Sequence, residues 1–120
     1  MTVSYFVRYD VEAPEDFVLQ YRARHVPILA RWPGMRRVIL HRPVPWSDPC
    51  PVNRAASFLV AQLEFESQAD LDRALLSPER LEARGDFERF PPFEGKVFHQ
   101  AMSQEEVFRS PWLDGNEEEA

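Results

Sequence analysis

The chain has 120 residues, enough for one domain and too few for two ordinary ones. Apolar residues are 44% of it, enough to bury a core, and a net charge of −6 with scattered arginines argues against a nucleic-acid surface, which needs a basic patch to displace phosphate counterions. No apolar run approaches the roughly 20 residues that span a bilayer, no signal-peptide pattern opens the N-terminus, and a lone Cys50 excludes a disulfide framework or multi-cysteine metal site, so a soluble cytoplasmic domain is expected.

Residues 3–9 (VSYFVRY) are rich in aromatic and β-branched types and read as a strand, with Val3, Tyr5, Val7 and Tyr9 on one face. Pro14-Glu15-Asp16 then opens a helix, because proline suits the first helical position and early acids complement the helix dipole. Phe17, Tyr21, His25, Ile28 and Trp32 follow at spacings of four, four, three and four, one stripe of an amphipathic helix that Pro33-Gly34 ends.

Residues 35–42 (MRRVILHR) read as a second strand. Four prolines interrupt residues 43–53, which are expected to form a long connection without regular structure. Residues 56–65 (ASFLVAQLEF) read as a third strand, with Leu59, Ala61, Leu63 and Phe65 on one face. Ser67-x-x-Asp70 resembles a capping box and Ser77-Pro78-Glu79 a second helix start, so two short helices are expected, the later one ending near Arg84-Gly85. Phe87, Phe90 and Phe93 cross a Pro-containing loop before a fourth strand over residues 95–102 (GKVFHQAM). The tail holds an apolar piece, Val107-Phe108 and Trp112-Leu113, and an acidic run, Glu117 to Glu119, expected to be disordered.

The order strand, helix, strand, strand, helix, strand predicts an α+β class protein: a ferredoxin-like βαββαβ fold, a four-stranded antiparallel sheet with two main helices on one face. Large apolar residues on both faces of the first and third strands then call for a second cover. A symmetric partner is its simplest source, making a homodimer.

The run Phe17-x-x-x-Tyr21-x-x-x-His25-x-Pro27, with Pro33-Gly34 and a strand after it, resembles the EthD family of the dimeric α/β-barrel superfamily, and the second half (LEFES, a helix, Ser77-Pro78-Glu79, a Phe-rich loop, a last strand) is similar too. The likeness spans roughly Val3 to Met102 and assigns residues 1–105 to the domain and 106–120 to an extension. It implies a link to small organic, often aromatic, compounds, with relatives that include lactone isomerases, cofactor-free monooxygenases and haem-handling enzymes.

His25 is the leading candidate. Pro27 has no N–H, so the Ala23 carbonyl loses its helical partner, and a kink there would open a gap beside the imidazole. A histidine at such a gap serves as general acid or base, near whose mouth His25 is expected; the bland alternative is a satisfied core histidine. Tyr21, one turn earlier, is the second catalytic candidate, able to hydrogen-bond a carbonyl or enolate oxygen or simply to pack. Tyr5, Tyr9, Trp32 and Phe90 are the substrate-binding candidates, each of which also suits ordinary packing. The aromatic set Phe87, Phe90, Phe93, Trp46 and Trp112 would make core, dimer contact or an apolar pocket wall. His41 and His99 lack the spacing of a local metal pair, so no metal or other cofactor is expected, and Cys50 lacks a basic neighbour to activate it.

The expected function is a cofactor-independent isomerase or dehydratase acting on a small cyclic or aromatic metabolite in a pocket between sheet and helices. A non-catalytic small-molecule-binding or accessory protein is one alternative, and a monooxygenase or haem-handling protein of the same fold is another.

Overall fold

The computed structural model describes residues 1–115; the acidic run Glu117 to Glu119 lies outside the described residues. Four strands, β1 (Val3–Glu12), β2 (Arg37–His41), β3 (Leu59–Phe65) and β4 (Glu94–Ser103), form one antiparallel sheet in the order β2-β3-β1-β4. β1 is central and pairs with both β3 and β4, Tyr5 standing between Leu63 and Ala101. This is the expected ferredoxin-like α+β arrangement.

Alternation along β1 sorts its side chains. Val3, Tyr5, Val7, Tyr9 and Val11 are buried, and on β3 Leu59, Ala61, Leu63 and Phe65 are completely buried beneath the helices. The opposite sheet face carries Phe6, Arg8, Val60 and Gln62, with Phe98 and Met102 of β4 exposed there. Glu64 also lies on that face, buried under Arg37, whose guanidinium meets its carboxylate at 2.7 and 3.1 Å. Arg37's hydrogen bonds hold the Glu64 carboxyl below its ordinary range.

Between β1 and β2 the chain is helical, but not as one regular α-helix. α1 (Asp16–Gln20) passes into a π turn (Tyr21–His25) and then into α2 (Val26–Ala30). The Val26 N–H reaches back five residues to the Tyr21 carbonyl, the wider span that defines such a turn. Pro27 sits at the start of α2 and cannot donate, and the wider winding lies just ahead of it.

That extra residue corrects the expected stripe. Phe17, Tyr21 and His25 are buried as expected, but next comes Leu29 rather than Ile28, which is only half-buried, and then Trp32. Counted from Phe17 along a regular α-helix, the stripe passes nearer Ile28 than Leu29; the widened turn shifts the phase by one residue and brings Leu29 round to the sheet. Gly34, with φ of +78°, then turns the chain toward β2.

α3 (Gln68–Leu75) and α4 (Pro78–Phe87) are capped as the sequence predicts: Ser67 Oγ accepts from the Asp70 N–H and Ser77 Oγ from the Arg80 N–H, both at 3.2 Å. α4 does not stop at Gly85 but continues to Phe87. The reason is on its inner side: Ala83 and Asp86 are both buried, so the last turn is held by contacts that Gly85 does not make. Residues 43–53 form no helix or strand, as expected. A short helix, α5 (Pro111–Gly115), follows β4, and Val107, Phe108, Trp112 and Leu113 are exposed.

Candidate functional site

Helix and sheet enclose an aromatic layer. Phe17 is at its centre, edge-on to Tyr9, Phe58, Phe90 and Phe93 with ring centroids 5.2 to 5.7 Å apart. Tyr21 and His25 continue the layer one and two turns on, and Phe90 lies edge-on against both, 5.7 and 4.8 Å away. Beyond them, between the sheet and the helices, lies a small cavity of about 30 Å³. It is therefore a narrow cavity, with room for a few waters and no more until a side chain moves.

Of the six residues singled out from the sequence, Tyr5, Tyr9, Tyr21, His25 and Trp32 all line this cavity. Phe90 does not; it packs behind His25, and Phe87 supplies the aromatic wall. Trp46 and Trp112 are exposed and take no part, Trp46 lying instead under the Arg54 guanidinium. His25 is not at the mouth either. It is 5% exposed, whereas Arg84 and His99, which also line the cavity, are exposed.

The decisive neighbour of His25 is Asp86, on the turn of α4 past Gly85. His25 Nδ1 lies 3.0 Å from Asp86 Oδ2, and both groups are buried. A carboxylate can only accept, so Nδ1 carries the hydrogen and Nε2 is left as the basic nitrogen. Arg24 approaches the other carboxylate oxygen at 3.4 Å from solvent. Burial pushes the His25 pKa below the usual 6.5, against the opposing pull of Asp86. His25 is thus neutral at pH 7, oriented, and able to take up a proton.

The two inner tyrosines are kept as donors. Burial raises Tyr9 to about 12 and Tyr21 well above 10, so both phenols stay protonated and can donate. At the other end, Tyr5 OH stands 2.7 Å from His99 Nδ1, and Arg80 Nη2 approaches the same hydroxyl at 3.4 Å. Burial, then the charges of Arg84 and Arg80, lower the His99 pKa. Trp32 Nε1 is buried and has no hydrogen-bond partner among the described residues.

Asp86, Arg80 and Arg84 are the residues that sequence reasoning missed. Asp86 follows a glycine, where the helix was expected to end, and sits 61 positions from His25. The spacing from Ala83 to Asp86, one helical turn, was the available signal. The remaining histidine, His41, is exposed and bonds Gln62, and Cys50 is exposed. Among the described residues no group of three or more metal-ligand side chains comes together.

No family model matches the chain. An uncharacterised 11.0 kDa protein from the thcB-thcC intergenic region of Rhodococcus erythropolis is 31% identical over 77 residues, 64% of this chain and 71% of that one. The chain belongs to that protein's family. Its fold is EthD-like: an EthD family protein from Bacillus halodurans superimposes with a TM-score of 0.67 at 21% identity, over 88% of this chain and all of the other. The same fold recurs in SnoaB, a cofactor-independent oxygenase from Streptomyces nogalater (TM-score 0.62, 19% identity, 91% and 98% covered), and in the hydroxynitrile lyase of Passiflora edulis (0.63, 18%, 90% and 97%). The EthD-like resemblance read from the helix and its Pro-Gly end is borne out. No described helix of this EthD-like chain is long and apolar enough to cross a membrane.

Proposed function

We propose that this EthD-like protein is a cofactor-independent enzyme that moves a proton on a small cyclic or aromatic metabolite, with His25 as the catalytic base. The observation that carries the reading is the buried 3.0 Å contact between His25 Nδ1 and Asp86 Oδ2, which leaves Nε2 as the proton acceptor. Asp86 acts as a positioning residue, fixing the tautomer and steadying the imidazolium once it forms. Tyr21, which lines the cavity beside Tyr9 with its hydroxyl kept protonated by burial, supplies an O–H to a carbonyl or enolate oxygen. Tyr5, Trp32 and Phe87 would flank the bound ring.

Proton abstraction is common to isomerisation, to dehydration and to generating an electron-rich carbanion for direct reaction with oxygen. The oxygenase reading is therefore the second one, favoured by the fold shared with SnoaB. The working unit is residues 1–105, acting in the cytoplasm as a homodimer. Phe98 and Met102, exposed beside Phe6 and Val60 on the sheet face away from the helices, support a second copy as the cover for that face.

Catalysed hydrogen–deuterium exchange tests the reaction class before a substrate is identified. A panel of small cyclic ketones and lactones is incubated with the protein in deuterated buffer and followed by NMR. Exchange that His25→Gln abolishes supports the reading; exchange that continues at the same rate in that variant removes His25 from it.

A further inference from the structure

The cavity wall has an unusual balance of polar groups. None of its lining residues is an acid, and two of them, Arg80 and Arg84, are cations that form no ion pair among the described residues. Arg80 makes only the long contact to Tyr5 OH, and Arg84 lies over the Phe87 ring, 5.1 Å from its centroid. This occurs in a chain with 20 acidic and 14 basic side chains, where carboxylate partners are plentiful. Asp86, the buried acid of α4, is occupied by His25 and Arg24.

A third group points the same way. Trp32 lines the cavity at 5% exposure, and its indole N–H is the only buried side-chain polar atom without a partner among the described residues. A buried donor is rarely left unmade without a function. Trp32 and Arg80 converge on one side chain: the Trp32 ring is 6.4 Å from the Tyr5 ring, whose hydroxyl Arg80 approaches. Indole and guanidinium groups only donate, so what they jointly lack is an acceptor.

We propose that the cavity takes a small organic carboxylate, its oxygens meeting the Trp32 indole N–H and the Arg80 and Arg84 guanidiniums while its apolar body lies toward Val7, Leu29 and Phe87. This rests on the reading of the same cavity as the binding site and names the substrate class for it. The anion end is then the end away from Asp86, which leaves the carbon skeleton facing His25. Arg84 and His99 are exposed members of the wall, so Arg84 stands where the ligand enters as well as meeting its charge.

The test is a titration of the ¹⁵N-labelled full chain with benzoate and, separately, with benzyl alcohol, a neutral ligand of similar shape. The reporters are the indole N–H resonances of the three tryptophans, Trp32 being assigned through its contact with the Tyr5 ring. Benzoate is expected to shift the Trp32 resonance, leave Trp46 and Trp112 in place, and bind at least about tenfold more tightly than benzyl alcohol. Arg84→Met and Arg80→Met are each expected to weaken benzoate by about tenfold and to leave benzyl alcohol unchanged. Equal affinity for the two ligands, insensitivity of benzoate to both arginine substitutions, or a Trp32 resonance that does not respond overturns the proposal. Benzoate binding retained in His25→Gln separates the two readings. If deuterium exchange proves independent of His25 while the charge preference holds, the proton-transfer reading falls and the anion site stands; if exchange needs His25 and no charge preference exists, only the anion site falls.

Discussion

His25 and Asp86 form a buried hydrogen-bonded pair, Nδ1 to Oδ2 at 3.0 Å, across 61 residues of sequence. The π turn carries one member and the last turn of α4 the other, so the pair exists only when both helices are docked on the sheet.

The first prediction concerns pH. Burial lowers the folded His25 pKa below 6.5, so the unfolded chain binds the proton more readily than the folded one. The stability from keeping this imidazole neutral is complete above 6.5 and is lost as pH falls from there through the lower folded value. The NMR titration of the His25 ring should show its midpoint below 6.5, and a midpoint above it would contradict the assignment of burial as the dominant influence.

Removing the carboxylate tests the pair itself. Asp86 raises the His25 pKa, so Asp86→Asn should lower it further, moving the ring titration to more acid pH. Asp86→Ala leaves the Nδ1–H buried without an acceptor and should cost about 1–3 kcal/mol in denaturant unfolding. An unchanged His25 titration in Asp86→Asn would mean that the contact does not persist in solution.

If His25 is the base, His25→Gln should slow exchange into a responsive ketone or lactone by about 10²–10⁴-fold, the range that one proton-transfer group supplies. Circular dichroism of the variant should match the parent, since glutamine keeps a polar group beside Asp86. A loss of less than about threefold would leave His25 no catalytic role.

Phe17 underlies the site mechanically. It is 1% exposed and touches four other rings, so Phe17→Ala should destabilise by about 3–5 kcal/mol. Phe17→Leu, which keeps more of the volume, should cost less. Equal unfolding midpoints for the two variants would falsify the view that filled volume is what Phe17 contributes.

The tyrosines give a spectroscopic check. Alkaline ultraviolet titration should find Tyr9 ionising only near pH 12 and Tyr21 well above 10, because burial disfavours both phenolates. Ionisation of either close to 10 in the folded protein would mean that water reaches the inner end of the cavity.

How much of this could be read beforehand follows from where the signals lie. Val3, Tyr5, Val7 and Tyr9, and Leu59, Ala61, Leu63 and Phe65, recur at every second position, so the central strands and their buried faces were legible, although β1 runs past residue 9 to Glu12. Ser67 and Ser77 announce their helices through caps that the structure contains. The Leu29-for-Ile28 exchange was not legible, because periodicity assumes a regular helix and the π turn departs from one. Asp86 was hidden by Gly85: glycine weakens a helix by local propensity, and the burial of Ala83 and Asp86 overrides it. Arg80 and Arg84 read as ordinary surface charges until the sheet stood opposite them.

The wide turn before Pro27 holds one residue more than a regular helix would. Deleting one residue there, Ala23 for example, would let the segment wind as a regular helix with the proline near its middle. A turn closed five residues back and a turn closed four residues back each complete about one revolution, so the two flanking segments would keep their facing. Tyr21 before the deletion and His25 and Trp32 after it would still look toward the same cavity. The helix can thus change its length by one codon without giving up the side chains that line the site.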